Sequence, residues 1–256
     1  MILRLVETPV PPSPAEAEEI ALEAASIRPL PDVFLLPELF TTGYALDSLP
    51  GLASREGEPI LPLTRAFCAR EGIWAVAGTL PVLTERGIVN RLHVISPDGS
   101  IAHTTEKVHL FRQMGEDGVF TPGSPAGVFR TPWMAAGAAV CYDIRFPELF
   151  RALTLGGARI VFVPAEWPES RIELFRCLLR ARSAEAQVFT AGCNVGGEHL
   201  GVVFGGGGGV AAPSGALLQG RDAAAWTTDY DIDPEDVPRM RRKIDCLSDR
   251  RPEVYG

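Results

Sequence analysis

The sequence predicts an α/β fold built as one layered domain whose sheets include antiparallel pairs. Apolar runs of strand length alternate with amphipathic stretches of helix length, and one pair of strand-like runs is joined by a tight-turn signal. The composition does not change along the chain, and neither a linker nor an internal repeat is visible. Since 256 residues suit one large α/β domain, we expect a single domain over residues 1–256.

The first elements of the chain alternate between strand and helix. A strand over residues 2–6 ends at the PPSP segment, after which Ser13 or Pro14 begins a helix with apolar residues at helical spacing. A buried strand is expected over residues 32–40, DVFLLPELF, where Pro37 ends the regular pairing. These elements predict a strand–helix–strand unit at the start of the fold.

A hairpin is expected after the next helix and strand. The amphipathic helix over residues 61–72 ends at Gly72, and a second buried strand covers residues 73–83. The stretch over residues 88–107 alternates apolar and polar side chains around an SPDG turn. This pattern predicts two antiparallel arms.

The second half of the chain continues the alternation. We expect the following elements there, in order: two short strands within residues 128–143, a helix over 146–158, a strand over 159–167, a helix over 169–188, a strand over 189–197, further strands joined by glycine turns within 199–220, a strand over 224–233, and then a charged helix and an exposed tail.

The composition argues against a nucleic-acid-binding protein. Hydrophobic residues make up 46% of the chain and charged residues 22%, and the formal net charge is −8. Nucleic-acid binding requires a basic surface. The one basic cluster, RMRRK at residues 239–243, lies between acidic segments, so we interpret it as a solvated helix face.

Cysteine usage favours a reducing compartment. The chain has five cysteines at wide spacing, without a CxxC pair and without histidines at zinc-ligand spacing. They are Cys68, Cys141, Cys177, Cys193 and Cys246. With no visible signal peptide and no apolar stretch long enough to span a bilayer, we expect a cytoplasmic protein without a membrane partner.

A run of five glycines, Gly205 to Gly209, could suggest a phosphate-binding loop. It lacks the Lys-Ser/Thr pair and the following helix of a P-loop. We therefore expect a turn or a close approach between backbone segments.

Three polar residues with complementary chemistry lie where predicted buried strands end. Glu38 follows VFLLP, Lys107 ends the second arm of the hairpin, and Cys141 ends AAGAAV. Taken singly they are ordinary, since such residues are usually found in a solvated loop, on the surface and in the core, respectively. Together they could form a catalytic group, because a thiol attacks as thiolate, a glutamate can accept its proton, and a lysine can stabilise a developing oxyanion.

The segments around these three residues resemble a known family. LPELFTTGY surrounds the glutamate, EKVHLF the lysine and VCYDIRFPELFR the cysteine, and further matches are AEWPESR, LLRARSAEAQVF, GCN and DRRPEVY. In this order they resemble the Glu-Lys-Cys segments of the nitrilase superfamily, the carbon-nitrogen hydrolases, and its omega-amidase-like branch. The resemblance extends from about residue 33 to residue 255.

This resemblance implies a mechanism. Cys141 would be the nucleophile, Glu38 the general base, and Lys107 the oxyanion-binding cation, with the backbone N–H of Tyr142 as a second donor. The reaction would release ammonia from an amide through a thioester intermediate, and no metal or organic cofactor is expected. The family also implies a four-layer α-β-β-α sandwich, and usually a homodimer in which that sandwich is extended.

A second glutamate is expected after the lysine segment. The string HLFRQMGEDGVFTPG places Glu116 there, with Asp117 as the neighbour that could be mistaken for it. The resemblance implies that Glu116 positions Lys107 and helps to orient substrate or water. We interpret His109 as a structural hydrogen-bonding residue.

The resemblance further implies a small-molecule amide substrate with a distant carboxylate, such as 2-oxoglutaramate or 2-oxosuccinamate. Arg145 could bind that carboxylate or form a structural ion pair, and both interpretations stay open. Phe111 and Phe120 could shape the pocket or pack in the core. The candidate substrate-binding residues are Tyr44, Tyr142, Arg145, Trp167 and Arg171.

Two other hypotheses stay open. The protein could be a related hydrolase of a carbamoyl amine, a nitrile or a peptide-like amide, although Cys-Tyr-Asp in place of the Cys-Trp-Glu common in nitrilases favours an amide. It could also be a non-catalytic binding or scaffold protein, which the presence of all three triad residues disfavours. The start of the chain, LRLVETPVPPSPAEAEE, departs from the family pattern, and Phe204 stands where a tyrosine is usual.

Overall fold

The computed structural model describes residues 1–11, 13–56, 58–124 and 127–255. Its strands are β1 (Ile2–Val6), β2 (Val33–Leu35), β3 (Ser54–Arg55), β4 (Trp74–Thr84), β5 (Gly87–Ile95), β6 (Ile101–Glu106), β7 (Phe129–Arg130), β8 (Ala135–Ala138), β9 (Ile160–Ala165), β10 (Phe189–Asn194), β11 (Glu198–His199), β12 (Val202–Val203), β13 (Gly209–Ala211), β14 (Arg221–Ala224) and β15 (Thr227–Asp231). Its α-helices are α1 (Pro14–Ala25), α2 (Leu49–Leu52), α3 (Pro62–Glu71), α4 (Pro147–Leu155), α5 (Ile172–Ala186), α6 (Asp236–Lys243) and α7 (Pro252–Tyr255).

The larger sheet has eight strands and mixed pairing. Its order is β14-β15-β1-β2-β4-β5-β6, and β3 pairs with β4. The central strands β1, β2 and β4 are parallel, whereas β15, β5 and β6 pair antiparallel with their neighbours. The predicted hairpin is confirmed, because β5 and β6 pair around the SPDG turn.

The second sheet has five strands in the order β13-β10-β9-β8-β7. Its three central strands, β8, β9 and β10, are parallel, and the two edge strands pair antiparallel. Helix α4 connects β8 to β9 and helix α5 connects β9 to β10. This is the arrangement expected where parallel neighbours need a crossover helix.

The two sheets pack face to face with helices on the outside. In β2, Val33 and Leu35 belong to the core between the sheets, whereas Phe34 packs with the outer helices α1 and α3. Its ring meets Phe67 of α3 edge to face at 6.0 Å. On the other side, Phe175 of α5 packs in the same core cluster as β9 and β10. The expected α-β-β-α sandwich of four layers is therefore confirmed.

Several element boundaries differ from the sequence-based expectation. The strand expected over residues 32–40 ends at Leu35, because the chain turns at Pro37 and Leu39 has a φ of 44°. Much of the region over residues 199–220 is loop between very short strands. The sequence analysis missed α2, β3 and β14, which are short and lack a clear periodic pattern.

The expected helix ends and surface features agree with the structure. Helix α3 ends at Gly72, whose φ of 69° is the left-handed conformation that favours glycine. Helix α6 contains the basic cluster, and Arg239 forms exposed ion pairs with Asp233 and Asp236, as expected for a solvated face. Each of the five cysteines is a free thiol. No helix within the described parts of the chain is long and apolar enough to cross a membrane.

Candidate active site

The three candidate catalytic residues lie just beyond strand ends of the two facing sheets. Glu38 follows β2, Lys107 directly follows β6, and Cys141 begins a 3₁₀ turn after β8. The turn after Glu38 is fixed by a hydrogen bond that the Leu39 backbone N–H donates to Thr79 Oγ1, at 2.9 Å. The fold therefore brings residues from distant parts of the chain to one place.

Lys107 is held between two carboxylates. Its Nζ lies 2.9 Å from Glu38 Oε1 and 2.8 Å from Glu116 Oε1, and all three side chains are fully buried. Glu116 Oε2 also accepts a hydrogen bond from the backbone N–H of Phe111, at 2.6 Å. Burial alone would lower the pKa of Lys107, but the charges of Glu38, Cys141 and Glu116 raise it. The lysine therefore stays an ammonium ion.

Two further side chains complete this cluster. The Tyr44 hydroxyl accepts a hydrogen bond from Lys107 Nζ at 2.7 Å and donates one to Glu38 Oε1 at 2.8 Å. Asn90 Nδ2 donates to the same Glu38 oxygen at 2.8 Å. Glu38 Oε2 has no hydrogen-bond partner among the described residues. One carboxylate oxygen is thus fixed by three donors, and the other is available for proton transfer.

Cys141 lies at a strained backbone turn. Its φ of 47° lies in the left-handed region, which a non-glycine residue enters at a cost of about 1–3 kcal/mol. Asp143 supports the turn, because Asp143 Oδ2 accepts the Val140 backbone N–H at 2.9 Å and Asp143 Oδ1 accepts the His109 backbone N–H at 2.8 Å. The Cys141 thiol is therefore presented by an elbow rather than by a regular strand.

The charges around the Cys141 thiol indicate that the thiol is protonated at rest and can transfer its proton to Glu38. Burial raises the pKa of Cys141 well above its ordinary value, and the charge of Glu38 acts in the same direction. Lys107 and the backbone N–H of Glu166 oppose this rise. The resting sulfur is therefore a thiol, and the adjacent carboxylate is the group able to remove its proton.

Cys141 opens into a cavity of about 510 Å³, whose wall includes Tyr44, Tyr142 and Trp167. The Trp167 backbone is clamped by Asn194: its N–H donates to Asn194 Oδ1 at 2.6 Å, and its carbonyl accepts from Asn194 Nδ2 at 2.9 Å. The Asn194 backbone N–H in turn donates to Glu7 Oε1 at 2.9 Å. Glu7, which directly follows β1, thus fixes the pocket wall through Asn194.

Two arginines border the same cavity. The Arg145 guanidinium lies 5.0 Å from the ring centre of Trp167 and 5.9 Å from that of Tyr142. Arg171 lines the cavity beside them. Within the described parts of the chain neither guanidinium forms an ion pair, so the structural ion pair considered for Arg145 is not formed there.

The other residues considered in the sequence analysis lie outside the Lys107 cluster. Asp117 is half exposed and 4.0 Å from Arg112, outside the Lys107 cluster. His109 Nδ1 lies 2.7 Å from Asp143 Oδ1, and its ring stacks on Phe146. Phe120 is buried in a small core cluster, whereas Phe111 lines the cavity. These contacts agree with a structural His109 and with Glu116 as the second glutamate.

The sequence analysis missed several polar residues of the site. Asn90 holds Glu38, whereas Glu166 and His199 line the cavity. Glu166 lies within the AEWPESR segment, which also contains the substrate-binding candidates Trp167 and Arg171, so its position carried a signal but its side chain was not singled out. No group of three or more His, Cys, Asp or Glu side chains in the described ranges has the geometry of a metal site.

The family model described as carbon-nitrogen hydrolase matches residues 14–242 of this chain. The chain belongs to the carbon-nitrogen hydrolase family. Together with the relatives below, this makes it a hydrolase that acts on carbon–nitrogen bonds of linear amides.

Among curated relatives of this carbon-nitrogen hydrolase is 2-oxoglutaramate amidase of Bacillus subtilis. It is 33% identical over 224 residues, which cover 88% of this chain and 86% of the relative. Omega-amidase YafV of Escherichia coli is 30% identical over 220 residues, covering 85% of this chain and 84% of the relative. Both alignments span most of each protein.

Solved structures agree with the fold of this carbon-nitrogen hydrolase. A CN-hydrolase superfamily protein from Xanthomonas campestris superposes with a TM-score of 0.89, at 24% identity, over 98% of this chain and 97% of that one. A mutant amidase from Nesterenkonia sp. superposes with a TM-score of 0.84, at 26% identity, over 100% and 95%. In that mutant the acetamide moiety of fluoroacetamide is covalently added to the active-site cysteine. The likeness to the Nesterenkonia amidase supports cysteine-dependent amidase activity.

Proposed function

We propose that this hydrolase is an omega-amidase-like enzyme that cleaves the terminal amide of a small carboxylate-bearing molecule, such as 2-oxoglutaramate or 2-oxosuccinamate. The observation that carries the proposal is the meeting of Glu38, Lys107 and Cys141 in one buried cluster, beside a cavity bordered by two arginines that form no ion pair with any described residue. The similarity to 2-oxoglutaramate amidase supports the same substrate class.

In the proposed acylation step, Cys141 attacks the amide carbonyl carbon. Glu38 takes the thiol proton as the carbon–sulfur bond forms, and the carbonyl oxygen becomes an oxyanion. The Lys107 ammonium and the backbone N–H of Tyr142 stabilise this oxyanion. Glu38 then returns the proton to the nitrogen, the carbon–nitrogen bond breaks, and ammonia leaves a thioester on Cys141.

In the proposed deacylation step, water enters the place of the amine. Glu38 takes a proton from the water, whose oxygen attacks the thioester carbon. The carbon–sulfur bond breaks as the tetrahedral intermediate collapses, and Glu38 returns the proton to the sulfur. The products are the free acid and the starting thiol, so both half-reactions use the same base and the same oxyanion donors.

Glu116 is proposed as a positioning residue. Its carboxylate faces Lys107 at 2.8 Å and is anchored by the Phe111 backbone N–H. Two carboxylates around one ammonium keep that ammonium charged and restrict its direction. Lys107 can therefore meet the oxyanion without reorganising.

The substrate carboxylate is proposed to bind Arg145 or Arg171. A guanidinium presents a planar pair of N–H donors to a carboxylate, and stacking on Trp167 preorganises Arg145 for this contact. Substituting Arg145 or Arg171 by Met should raise KM for the carboxylate-bearing amide by about 10- to 100-fold, with a smaller effect on kcat. Arg130→Gln, an exposed change on β7, is the matched control.

Ammonia release from a substrate panel tests the proposed function. The panel contains dicarboxylic monoamides, neutral amides, carbamoyl amines and nitriles. The monoamides should be the fastest, Cys141→Ala should abolish turnover, and Cys177→Ala, at an exposed thiol, should leave it intact. A preference for carbamoyl amines or nitriles would replace the proposed substrate, and no turnover of any member would favour a scaffold protein.

A homodimer and a cytoplasmic location are also proposed. The C-terminal part of the chain exposes Ile244, Val254 and Tyr255, apolar surface that a second copy could cover. Sedimentation velocity tests the assembly: a monomer at micromolar concentration would contradict it. The free state of all five cysteines supports a reducing compartment.

A further inference from the structure

Glu166 is a third buried carboxyl group in the catalytic cavity. It follows β9, its exposed fraction is 8%, and it lines the same cavity as Cys141. Its Oε2 atom is buried and has no hydrogen-bond partner in the described part of the chain. A buried polar atom without a partner is costly, and a ligand bound in the cavity can supply one.

Burial and the surrounding charges favour the neutral form of Glu166. Lys107 is the ammonium at the centre of the cluster, and its close contacts are with Glu38 and Glu116. Burial raises the pKa of Glu166 well above its ordinary value, and the charge of Glu38 raises it further. Both effects favour the protonated carboxyl group, whose carbonyl oxygen can accept a hydrogen bond.

The proposed reaction places the amide nitrogen on the side of this group. The carbonyl oxygen is held by Lys107 and the backbone N–H of Tyr142, and the acyl chain extends towards the arginines. The nitrogen is then left beside Glu38, which must return a proton to it. Glu166 lies near the same point, because it lines the same cavity as Cys141.

An unsubstituted amide nitrogen has two N–H groups, and a dry site must pair both. Glu38 can accept one of them, but its Oε1 atom is already occupied by three donors. The unpartnered oxygen of Glu166 is the second acceptor at hand. A site built to pair a substrate N–H group discriminates strongly against analogues that lack it.

We propose that Glu166 is a specificity-determining residue: its carboxyl oxygen accepts a hydrogen bond from the substrate amide nitrogen and thereby favours unsubstituted amides over esters of the same acid. This inference rests on the proposed amidase function and adds the group that recognises the leaving nitrogen.

The test compares kcat/KM for a dicarboxylic monoamide and for the methyl ester of the same acid, which lacks the N–H groups. Glu166→Leu should lower the value for the amide about 10- to 100-fold and that for the ester less than about threefold. Glu166→Gln keeps a neutral side chain with an acceptor oxygen, so the amide-to-ester ratio should stay within about threefold of wild type. Glu148→Leu, exposed on α4, is the matched control and should leave the ratio unchanged.

Melting curves establish that each variant is folded, and Glu166→Met gives the same comparison if Glu166→Leu does not fold. Equal loss with amide and ester, or an unchanged ratio in Glu166→Leu, would overturn the inference and leave the amidase function standing. A wild-type protein that releases no ammonia from any monoamide would overturn the proposed function, and the role of Glu166 with it.

Discussion

The hydroxyl oxygen of Tyr44 accepts a hydrogen bond from the Lys107 ammonium across 2.7 Å. The same hydroxyl donates to Glu38, so it joins the proposed base to the proposed oxyanion-binding cation. Tyr44 was expected to contribute to substrate binding. Its ring does line the cavity, but its hydroxyl is directed into the charged cluster.

Tyr44→Phe should therefore lower kcat more than it raises KM. It removes one hydrogen bond to each of two charged groups, and a loss of about 1.5–3 kcal/mol corresponds to a decrease of about 10- to 100-fold. Steady-state ammonia release measures the effect. Tyr230→Phe, a buried tyrosine of β15 outside the site, is the control. A Tyr44→Phe enzyme with unchanged kcat would show that the bridging hydroxyl is dispensable.

Glu116→Gln should reduce kcat by about 10- to 100-fold, because Lys107 loses one of its two charged partners. The neighbouring change Asp117→Asn removes an exposed carboxylate whose nearest cation is 4.0 Å away, and such surface pairs contribute little. Parallel kinetic assays of the two variants distinguish the adjacent acids. Full activity in Glu116→Gln, or a greater loss in Asp117→Asn, would contradict the assignment of the second glutamate.

Glu7→Gln should destabilise the fold by about 1–3 kcal/mol. Glu7 Oε1 accepts the backbone N–H groups of Asn194 and Gly208, and Oε2 accepts that of Gly207. A glutamine would turn an amide N–H₂ group towards at least one of these donors. Urea unfolding measures the change, with Glu16→Gln, exposed in the first turn of α1, as the control. Equal midpoints for the two variants would contradict this prediction.

His93 predicts a pH dependence of stability. Burial, with a smaller effect of the Arg91 charge, lowers its pKa from 6.5 to about 4. The unfolded chain therefore binds a proton before the folded protein does. The contribution of neutral His93 to the unfolding free energy is fully present above pH 6.5, and it is lost as the pH falls from 6.5 to about 4. The difference between the unfolded and folded pKa values of His93 corresponds to about 3 kcal/mol of unfolding free energy.

His93→Leu removes this titration. The decrease in the unfolding free energy between pH 6.5 and pH 4 should become smaller in the variant than in the wild type. Urea titrations at several pH values give the slopes. Thr104→Ala, at the exposed position paired with His93 on β6, should keep the wild-type slope. Identical slopes for His93→Leu and wild type would show that His93 does not titrate in this range.

The catalytic candidates could be predicted because each carries a distinctive side chain at the end of a predicted strand. Strand ends converge in a layered α/β fold, and the segments around Glu38, Lys107 and Cys141 resemble one family over several residues. Glu116 followed from the same segments. The layer order could likewise be predicted, because strands buried on both faces require covering helices.

The remaining contacts depend on side-chain directions that a linear pattern does not contain. The Tyr44 hydroxyl and the Asn90 amide reach Glu38 only after the chain has turned at Leu39, whose φ is positive. Glu166 resembles an ordinary charged residue after a strand, and only burial distinguishes it. Short elements such as α2 and β14 were missed because they contain too few residues to show a period.

The glycine run Gly205 to Gly209 was expected to form a turn or a close approach. A Cβ atom at Gly208 would lie 2.2 Å from the carbonyl oxygen of Gly192, so the close approach is confirmed. The backbone N–H groups of Gly207 and Gly208 bind the Glu7 carboxylate. The anion held by this loop is therefore part of the protein itself.

The Glu7 carboxyl group extends the functional unit beyond the residues that the family model matches. The family match starts at residue 14, yet Glu7 holds Asn194, and Asn194 clamps the backbone of Trp167 in the pocket wall. A truncated protein that began at residue 14 would retain every candidate catalytic side chain. It would lose Glu7, the residue that holds Asn194 and, through it, the Trp167 backbone in the pocket wall. An expression strategy or a fusion junction should therefore leave the first strand and the residue after it intact.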